Sequence, residues 1–533
     1  MIDLNKYKSH NFYKKETNLR FGALINCILS YYLFHKYKLI VIKRICKYDM
    51  FKLKKLASCL LITSLLTSPF SAMAKNGLDL PDIGTTAAST LTIDQELIYG
   101  DAYMRMLRAS QPVINDPVLA EYVQGLGYRL VANASDVKTP FHFFLINNRE
   151  INAFAFFGGY VALHSGLFLY AQSESELASV VAHEIAHITQ RHLARSMEEQ
   201  ARRSPATMAA LIGSLLLAIA APEAGIAAIH ATTAGAMQSS INYTRSNEKE
   251  ADRFGIDTLA KSGFDVSAMP RFFSRLADQY RYASTPPPML LTHPLPTSRI
   301  TDSRERAQQY PMRKVNTSLR YHLARSRIVA RFAGIDSNAA LDWFSRKSKT
   351  HNVDIKNALN YGKALVYIDS KQYDKAQPLL DNLLKNDPLN TFYIDAATDL
   401  DLYTKKNEQA ITRLKNGLVQ LPNNAVLTIN YAHALSESNK PAEAVRVLQR
   451  YTHDNPNDPT GWQLLAKAYH DNGSSDGELA SRAEVYALKG MWNKALSNYT
   501  QASQLVEYGS LDQARYDARI DQLRLSRERF SAL

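Results

Sequence analysis

The clearest periodic pattern in the chain is an apolar stripe near its middle. Its members recur at helical intervals: Leu177, Val180, Val181, Ile185 and Ile188. That spacing puts them on one face of an α-helix. Ser173 followed by Glu176 matches a capping box, a common signature of a helix start. The pattern therefore predicts a helix that begins near Ser173 and buries one face.

A second pattern repeats every 34 residues in the carboxy-terminal third. Alanines and prolines both recur at this interval, as Ala376, Ala410 and Ala444 and as Pro388, Pro422 and Pro456. Small residues let paired helices approach, and prolines stop helices, so the pattern resembles tetratricopeptide repeats. Further matching positions are Ala364, Tyr367, Trp462, Leu465, Ala466 and Tyr469. We expect a helical solenoid over 353–533 whose concave surface binds extended or unfolded partners.

The end of the repeat array is expected to be irregular. Residues 472–477 are rich in glycine and serine, and Ala483, Tyr486 and Ala495 restart the pattern offset by half a unit. The segment Ser510–Phe530 is predicted to be a polar capping helix. Residues 311–352 are predicted to be a linker with a helix near Leu319–Phe332 that could hold the solenoid against the preceding domain.

The amino terminus has the pattern of an export signal. A basic stretch that starts at Met50 precedes an apolar run from Leu56 to Leu66, and Ala72-Met73-Ala74 forms a small-x-small cleavage site. We predict a signal peptide over 50–74, cleaved near Ala74. Residues 1–49 do not fit upstream of such a signal and are interpreted as an over-extended start. The alternative is a membrane anchor over Phe21–Phe34, which is short for a span.

Removing this terminus changes the charge of the chain. The full sequence has a net charge of +13, but residues 1–74 hold 13 Lys and Arg against 3 acids, which leaves an excess of only +3. Composition therefore gives no support for nucleic-acid binding. Cys27, Cys46 and Cys59 all precede the cleavage site, so any metal would be held without sulfur. A length of 533 residues predicts two or more domains.

The predicted apolar helix carries His183-Glu184-Ile185-Ala186-His187. Two histidines four residues apart share one helix face and can bind one metal ion. Glu184 lies beside that position, where a carboxylate can take a proton from water and pass it to a leaving amine. These residues predict a metal-dependent peptidase.

A catalytic metal needs a third protein ligand, and Glu248 is the candidate. Glu248 and Asp252 are one helical turn apart and share a face, whereas Glu250 points elsewhere. Asp252 suits either a group that orients a ligating imidazole or a hydrogen-bond donor to the transition state.

His183-Glu184-x-x-His187 with Glu248-x-x-x-Asp252 resembles the M48 zinc metallopeptidases, which are gluzincins. The resemblance implies one Zn²⁺ per chain, held by His183, His187 and Glu248. It also implies that Glu184 is the general base and Asp252 the proton donor. The implied fold is mainly α, with a gluzincin-type α+β metallopeptidase domain over 75–310 that contains a short β-sheet, followed by the solenoid.

Two further segments agree with this family. Asn152–Ala155 and Gly158–His164 are similar to its N-A-F-x-x-x-G-G-Y segment, and we expect a turn and a short strand that can bind substrate backbone by strand addition. Thr292–Ile300 is similar to its H-P-x-x-x-x-R-I element. From this loop His293 could act as a regulatory fourth ligand that keeps the enzyme latent. Arg299 is expected to anchor the loop.

Residues 206–237 are apolar and nearly free of ionisable groups. Pro222, Glu223 and Gly225 divide them into pieces of about fifteen residues, each short for a membrane span. We expect a helix pair that packs over the site or touches a membrane surface, in preference to a buried hairpin.

The order of signal peptide, M48 domain and repeats resembles the bacterial periplasmic proteases that assist outer-membrane assembly. That resemblance implies a Gram-negative periplasm, outer-membrane β-barrel precursors as clients and the barrel assembly machinery as a partner. It implies chaperone-like help to barrels that mature and degradation of those that stall. The alternatives are an assembly scaffold with a largely latent zinc site and a broad-specificity housekeeping peptidase.

Overall fold

The computed structural model describes residues 91–203, 245–281, 286–347 and 351–532. They belong to one compact unit, Asp82–Leu533. The sequence predictions for 1–49, 50–74 and 206–237 lie outside the described residues. Within the described ranges, no helix is both long and apolar enough to cross a bilayer. The unit is mainly helical with one small sheet, which confirms the predicted fold class.

The first half of the described chain contains the sheet and the helices around it. The strands are β1 (His142–Ile146), β2 (Ala153–Phe156) and β3 (Tyr160–His164). The helices are α1 (Ile93–Ser110), α2 (Pro117–Val131), α3 (Gly166–Tyr170), α4 (Glu174–Thr189), α5 (His192–Arg203), α6 (Arg245–Lys261), α7 (Ala268–Tyr280), α8 (Pro288–Thr292) and α9 (Thr297–Ala307).

The sheet has the order β1-β3-β2, and this corrects the predicted role of its strands. The predicted turn at Asn152–Ala155 is wrong, because β2 begins at Ala153 and all four of its residues are buried. β3, the strand expected to bind substrate, is the central strand. It pairs in parallel with β1 and antiparallel with β2, so it cannot accept another strand. The strand that packs beside α4 is β2, at the edge of this sheet.

The start of α4 follows the predicted cap with one difference. The Ser173 hydroxyl accepts the backbone N–H of Glu176, as a capping box requires. The Glu176 carboxylate, however, accepts the N–H of Gln172 instead of that of Ser173. Two hydrogen bonds from Arg275, at 3.0 and 2.6 Å, also hold this carboxylate. The helix start is therefore tied to α7 as well as to its own cap.

The second half is a succession of antiparallel helices. They are α10 (Leu319–Arg331), α11 (Ser337–Arg346), α12 (Val353–Asp369), α13 (Tyr373–Asn386), α14 (Thr391–Tyr403), α15 (Asn407–Gln420), α16 (Ala425–Glu437), α17 (Pro441–Asp454), α18 (Pro459–Asp471), α19 (Ser475–Leu488), α20 (Trp492–Leu505) and α21 (Leu511–Ala532). The alanine ladder lies at the contacts between paired helices, where Ala376, Ala410 and Ala444 are fully buried.

The predicted slip of the repeat register is wrong. The second helices of successive units begin at Tyr373, Asn407, Pro441 and Ser475, so the 34-residue interval continues through α19. The alanine that recurs every 34 residues is absent from this unit, because Glu478 occupies its position. The final helix α21 does form, and it buries an apolar face. That face consists of Tyr516, Ile520, Leu523 and Phe530.

The predicted helix near Leu319–Phe332 exists as α10 and lies in the core. Its side chains Tyr321, Leu323 and Ile328 are fully buried. The helix packs on α12 of the solenoid and on α2 and α3 of the first half. This segment therefore joins the two halves through a shared core.

A buried arginine also joins the two halves. Arg327 on α10 donates to Asp116 at the start of α2 at 2.6 Å and to Asp395 on α14 at 2.7 Å. It donates as well to the Tyr361 hydroxyl at 2.9 Å. Farther along, Arg105 on α1 lies over the Trp492 ring of α20, at 5.2 Å from its centroid. The solenoid thus contacts the first half at several repeats.

We predict that Arg327→Met destabilises the protein. The change leaves the carboxylates of Asp116 and Asp395 buried without a countercharge, which typically costs about 3–5 kcal/mol. The control is Arg320→Gln, since Arg320 is half exposed in its pair with Glu121 and such pairs contribute about 0–1 kcal/mol. Urea unfolding measures both. Equal shifts in the two unfolding midpoints would contradict the role of Arg327.

Candidate metal centre

The helix α4 presents His183, Glu184 and His187 in the interior. Their exposed fractions are 2%, 0% and 2%. The two histidines are one turn apart, so their imidazoles lie side by side, with 3.0 Å between the two Nε2 atoms. Bare imidazole nitrogens so close in a dry interior need a shared proton or a cation between them.

The helix α6 crosses α4 at this point and brings the predicted acidic residues. Gly255 favours the close approach, because a Cβ there would lie 3.3 Å from the backbone nitrogen of His183, a tight contact. One turn and two turns before it, Asp252 and Glu248 are each 1% exposed. The structure therefore brings Glu248 and Asp252 to the two histidines, as the spacing predicted.

His293 reaches the same place from the loop that follows α8. Its backbone N–H caps that helix by donating to the Met289 carbonyl at 2.8 Å. Its side-chain Nδ1 lies 3.1 Å from Glu248 Oε1 and 3.4 Å from His183 Nε2. The side chain is 4% exposed. His293 is therefore a fourth member of the cluster.

The donor atoms of four residues lie close enough together to surround one ion. Ligand atoms about 2 Å from a central ion lie about 3.3 Å apart in a tetrahedron. The distances from His183 to His187, His293 and Glu248, and from Glu248 to His187 and His293, run from 3.0 to 3.5 Å, with both oxygens of Glu248 taking part. One atom from each of the four lies within 4.8 Å of all the others. These residues therefore fit a single metal ion.

Asp252 binds the far side of His183. Its Oδ1 lies 3.0 Å from His183 Nδ1, so Nε2 of that ring is left to face the cluster. Arg299 donates to both oxygens of Asp252, at 2.8 and 2.7 Å. Another guanidinium nitrogen of Arg299 lies 2.6 Å from Glu248 Oε2. Arg299 thus balances the negative charge of two buried carboxylates. The sequence predicted only that it would anchor the loop.

Glu184 lies between His293 and β2. Its Oε1 is 3.5 Å from His293 Nε2. Burial raises the pKa of Glu184, while the charges of His293 and His183 and the backbone N–H of Ala155 act in the opposite direction. A raised pKa suits a carboxylate that accepts a proton and later releases it.

The charges of the cluster are coupled. Burial opposes protonation of His183, but the adjacent carboxylates of Asp252 and Glu248 outweigh it and raise its pKa to about 10. Burial and the nearby His183 lower the pKa of His187 well below its usual value. Burial acts to raise the pKa of Glu248, yet His293 and His183 hold it well below its usual value. Glu248 is therefore an anionic donor.

One neighbour of the cluster was missed in the sequence. His192, the first residue of α5, is fully buried, and its Nδ1 lies 2.8 Å from Nδ1 of His187. Its Nε2 lies 3.1 Å from Glu250 Oε2, which also accepts from Arg195 at 2.8 Å. Burial lowers the pKa of His192 to about 4, so the ring is neutral. The available signal was a third histidine five residues after His187.

Comparison with known proteins agrees with this arrangement. The model of peptidase family M48 matches residues 117–307. A tetratricopeptide repeat model matches residues 402–468. The first match spans α2 to α9 and includes the whole donor cluster, and the second lies within the solenoid. The family implies a metal, and the four clustered residues can hold one.

Several relatives match nearly the whole chain. A Vibrio cholerae protein is 68% identical over 463 residues, which cover 87% of this chain and 96% of that protein. Proteins named Beta-barrel assembly-enhancing protease from Yersinia pestis and Escherichia coli are 51% and 50% identical. They cover 88% and 90% of this chain and 98% of their own lengths. The chain therefore belongs to peptidase family M48, as a metallopeptidase that carries tetratricopeptide repeats.

Proposed function

We propose that this chain is a periplasmic zinc endopeptidase that helps outer-membrane β-barrel proteins to assemble and degrades those that stall. The observation that carries the proposal is the buried cluster of His183, His187, Glu248 and His293 beside Glu184. The export signal predicted over 50–74 supports the compartment. The names of the relatives supply the client class, since they describe an enhancer of β-barrel assembly.

Zinc is the proposed metal because of the donor chemistry. A cluster of three imidazoles and one carboxylate suits Zn²⁺, which accepts such donors without sulfur. His183, His187 and Glu248 would be its permanent ligands. A bound zinc ion supplies Lewis acidity to the attacked carbonyl and lowers the pKa of a water.

The chain's own residues have distinct proposed roles around that ion. Glu184 takes a proton from water and delivers it to the leaving amine, for which its raised pKa is suited. The edge strand β2 is the proposed docking edge for substrate backbone, because it lies at the edge of the sheet and packs beside α4, the helix that carries Glu184. We assign Asp252 to positioning instead of proton donation. Both of its oxygens are held by Arg299 and His183, and these contacts outweigh burial and lower its pKa.

His293 supports a latent resting state. A fourth protein donor occupies the position that water or substrate must enter in a catalytic site. Activity then requires the loop after α8 to move His293 away. The same observation favours a second activity, in which the protein assists assembly as a scaffold while its site stays closed.

The solenoid is the proposed client-binding part. We propose a peptidase domain over 75–310, a helical connection over 311–352 and repeats over 353–533. Repeats of this kind bind extended segments on a concave surface. The barrel assembly machinery is the proposed partner that brings clients, and residues 206–237 are the proposed contact with a membrane surface.

We predict that Glu184→Gln lowers the rate of cleavage of an unfolded outer-membrane barrel by about 100-fold to 10,000-fold, because general base catalysis is lost. The zinc content, measured on the same sample, is expected to be unchanged. The control is Glu198→Gln, which alters an acid on α5 that pairs with the exposed Arg202. Equal cleavage by wild type and Glu184→Gln would refute the assigned role. If the wild-type enzyme cleaves a soluble unfolded protein as fast as the unfolded barrel, the housekeeping alternative is favoured.

We predict that His293→Ala raises the cleavage rate by about tenfold or more, since activity scales with the fraction of molecules whose site is open. The matched control is His433→Ala, a half-exposed histidine in the solenoid. Zinc content separates the possible results. A faster enzyme with full zinc supports latency. A slower enzyme that has lost zinc would make His293 a retaining ligand and overturn it.

A further inference from the structure

The two histidines on α4 have different partners at Nδ1, the ring nitrogen that faces away from the cluster. The Nδ1 of His183 meets a carboxylate directly, that of Asp252 at 3.0 Å. The Nδ1 of His187 meets another imidazole, that of His192 at 2.8 Å. Asp252 and Glu248 share one face of α6. The carboxylate on the other side of α6, Glu250, contacts His192 instead.

This chain of contacts determines which nitrogens carry protons. Nε2 of His187 lies 3.0 Å from His183 Nε2 and 3.5 Å from Glu248, so it is the atom that would face a metal. A neutral imidazole with a bare Nε2 has its proton on Nδ1, and this N–H donates to His192 Nδ1. His192 must then carry its own proton on Nε2, which donates to the Glu250 carboxylate at 3.1 Å.

The turn between α4 and α5, which precedes His192, is held by buried hydrogen bonds. Arg191, between α4 and α5, has a positive φ of 52° and is 7% exposed. Its guanidinium donates to Glu96 on α1 at 3.1 and 2.9 Å and to the Leu91 carbonyl at 2.6 Å. On the other side, Arg195 holds Glu250 at 2.8 Å. Arginines therefore hold both the turn that precedes His192 and the carboxylate of Glu250.

We propose that His192 and Glu250 form a positioning relay that holds His187 in the tautomer and orientation needed to bind the metal. Carboxylates that orient a ligating imidazole increase metal affinity by about 10-fold to 100-fold. Here the effect passes through an intervening imidazole, since Glu250 contacts His192 and His192 contacts His187. The inference rests on the proposed metal site and adds two residues to it.

The test is the dissociation constant for Zn²⁺ of the purified full chain, measured by competition with a chromophoric chelator. His192→Phe removes both hydrogen bonds and is expected to weaken binding about 10-fold to 100-fold. His192→Asn keeps an acceptor oxygen near the position of Nδ1 and is expected to recover most of that loss. Glu250→Gln is expected to weaken binding less than His192→Phe, since an amide oxygen can still accept.

Visible spectra of the Co²⁺-bound variants and their urea unfolding distinguish a role of His192 in positioning His187 from a role in packing alone. With Co²⁺ in place of zinc, the visible bands of His192→Phe are expected to shift, while those of His192→Asn resemble wild type. The urea midpoint of each metal-free variant reports folding, and if His192→Phe does not fold, Glu250→Gln decides. Equal zinc affinity of His192→Asn and His192→Phe, or of Glu250→Gln and wild type, would overturn the relay. Failure of wild type to bind zinc would instead refute the proposed function.

Discussion

The centre of this structure depends on one buried guanidinium. Arg299 is 1% exposed and bonds to Glu248 and Asp252, two carboxylates on adjacent turns of α6. Leaving such charges unpaired in the interior would cost several kcal/mol, so the pairing lets both stay ionised. Arg299 also donates to the Pro294 carbonyl at 2.8 Å, which fixes the loop beside His293. The same side chain therefore supports an anionic ligand, an oriented imidazole and the closed position of His293.

The solenoid and the metal helix share one framework. Glu174, in the first turn of α4, accepts from the Tyr122 hydroxyl on α2 and from the hydroxyl and N–H of Ser318 at the start of α10. The Tyr321 hydroxyl on α10 donates to the Ala171 carbonyl just before α4. Because α10 also packs on the first repeat helix, the repeats share a core with the helix that carries His183 and His187.

The sequence was most informative where local spacing determines the outcome. Helical periodicity located α4, and the one-turn spacing of Glu248 and Asp252 predicted their shared face, because both depend on contacts within a helix. Long-range pairing was less accessible. In the order β1-β3-β2, the chain passes from β1 to the far edge of the sheet before it returns to the central strand. The short apolar run at Ala153–Phe156 does not encode this path, so the sequence predicts a turn where β2 forms. His192 was missed because its partner Glu250 lies across a tertiary contact. Glu478 stands where the earlier units have alanine, so the 34-residue interval is not visible in the residue types there, although the helix starts keep it.

The proposed resting state has four protein side chains around one zinc ion. Anomalous diffraction from crystals of the zinc-loaded wild-type protein, recorded on both sides of the zinc edge, locates that ion. We expect one zinc peak within about 2.0–2.2 Å of donors from His183, His187, Glu248 and His293, with no open position. A zinc ion bound elsewhere, or one with three protein ligands and His293 turned away, would refute the proposed latent site.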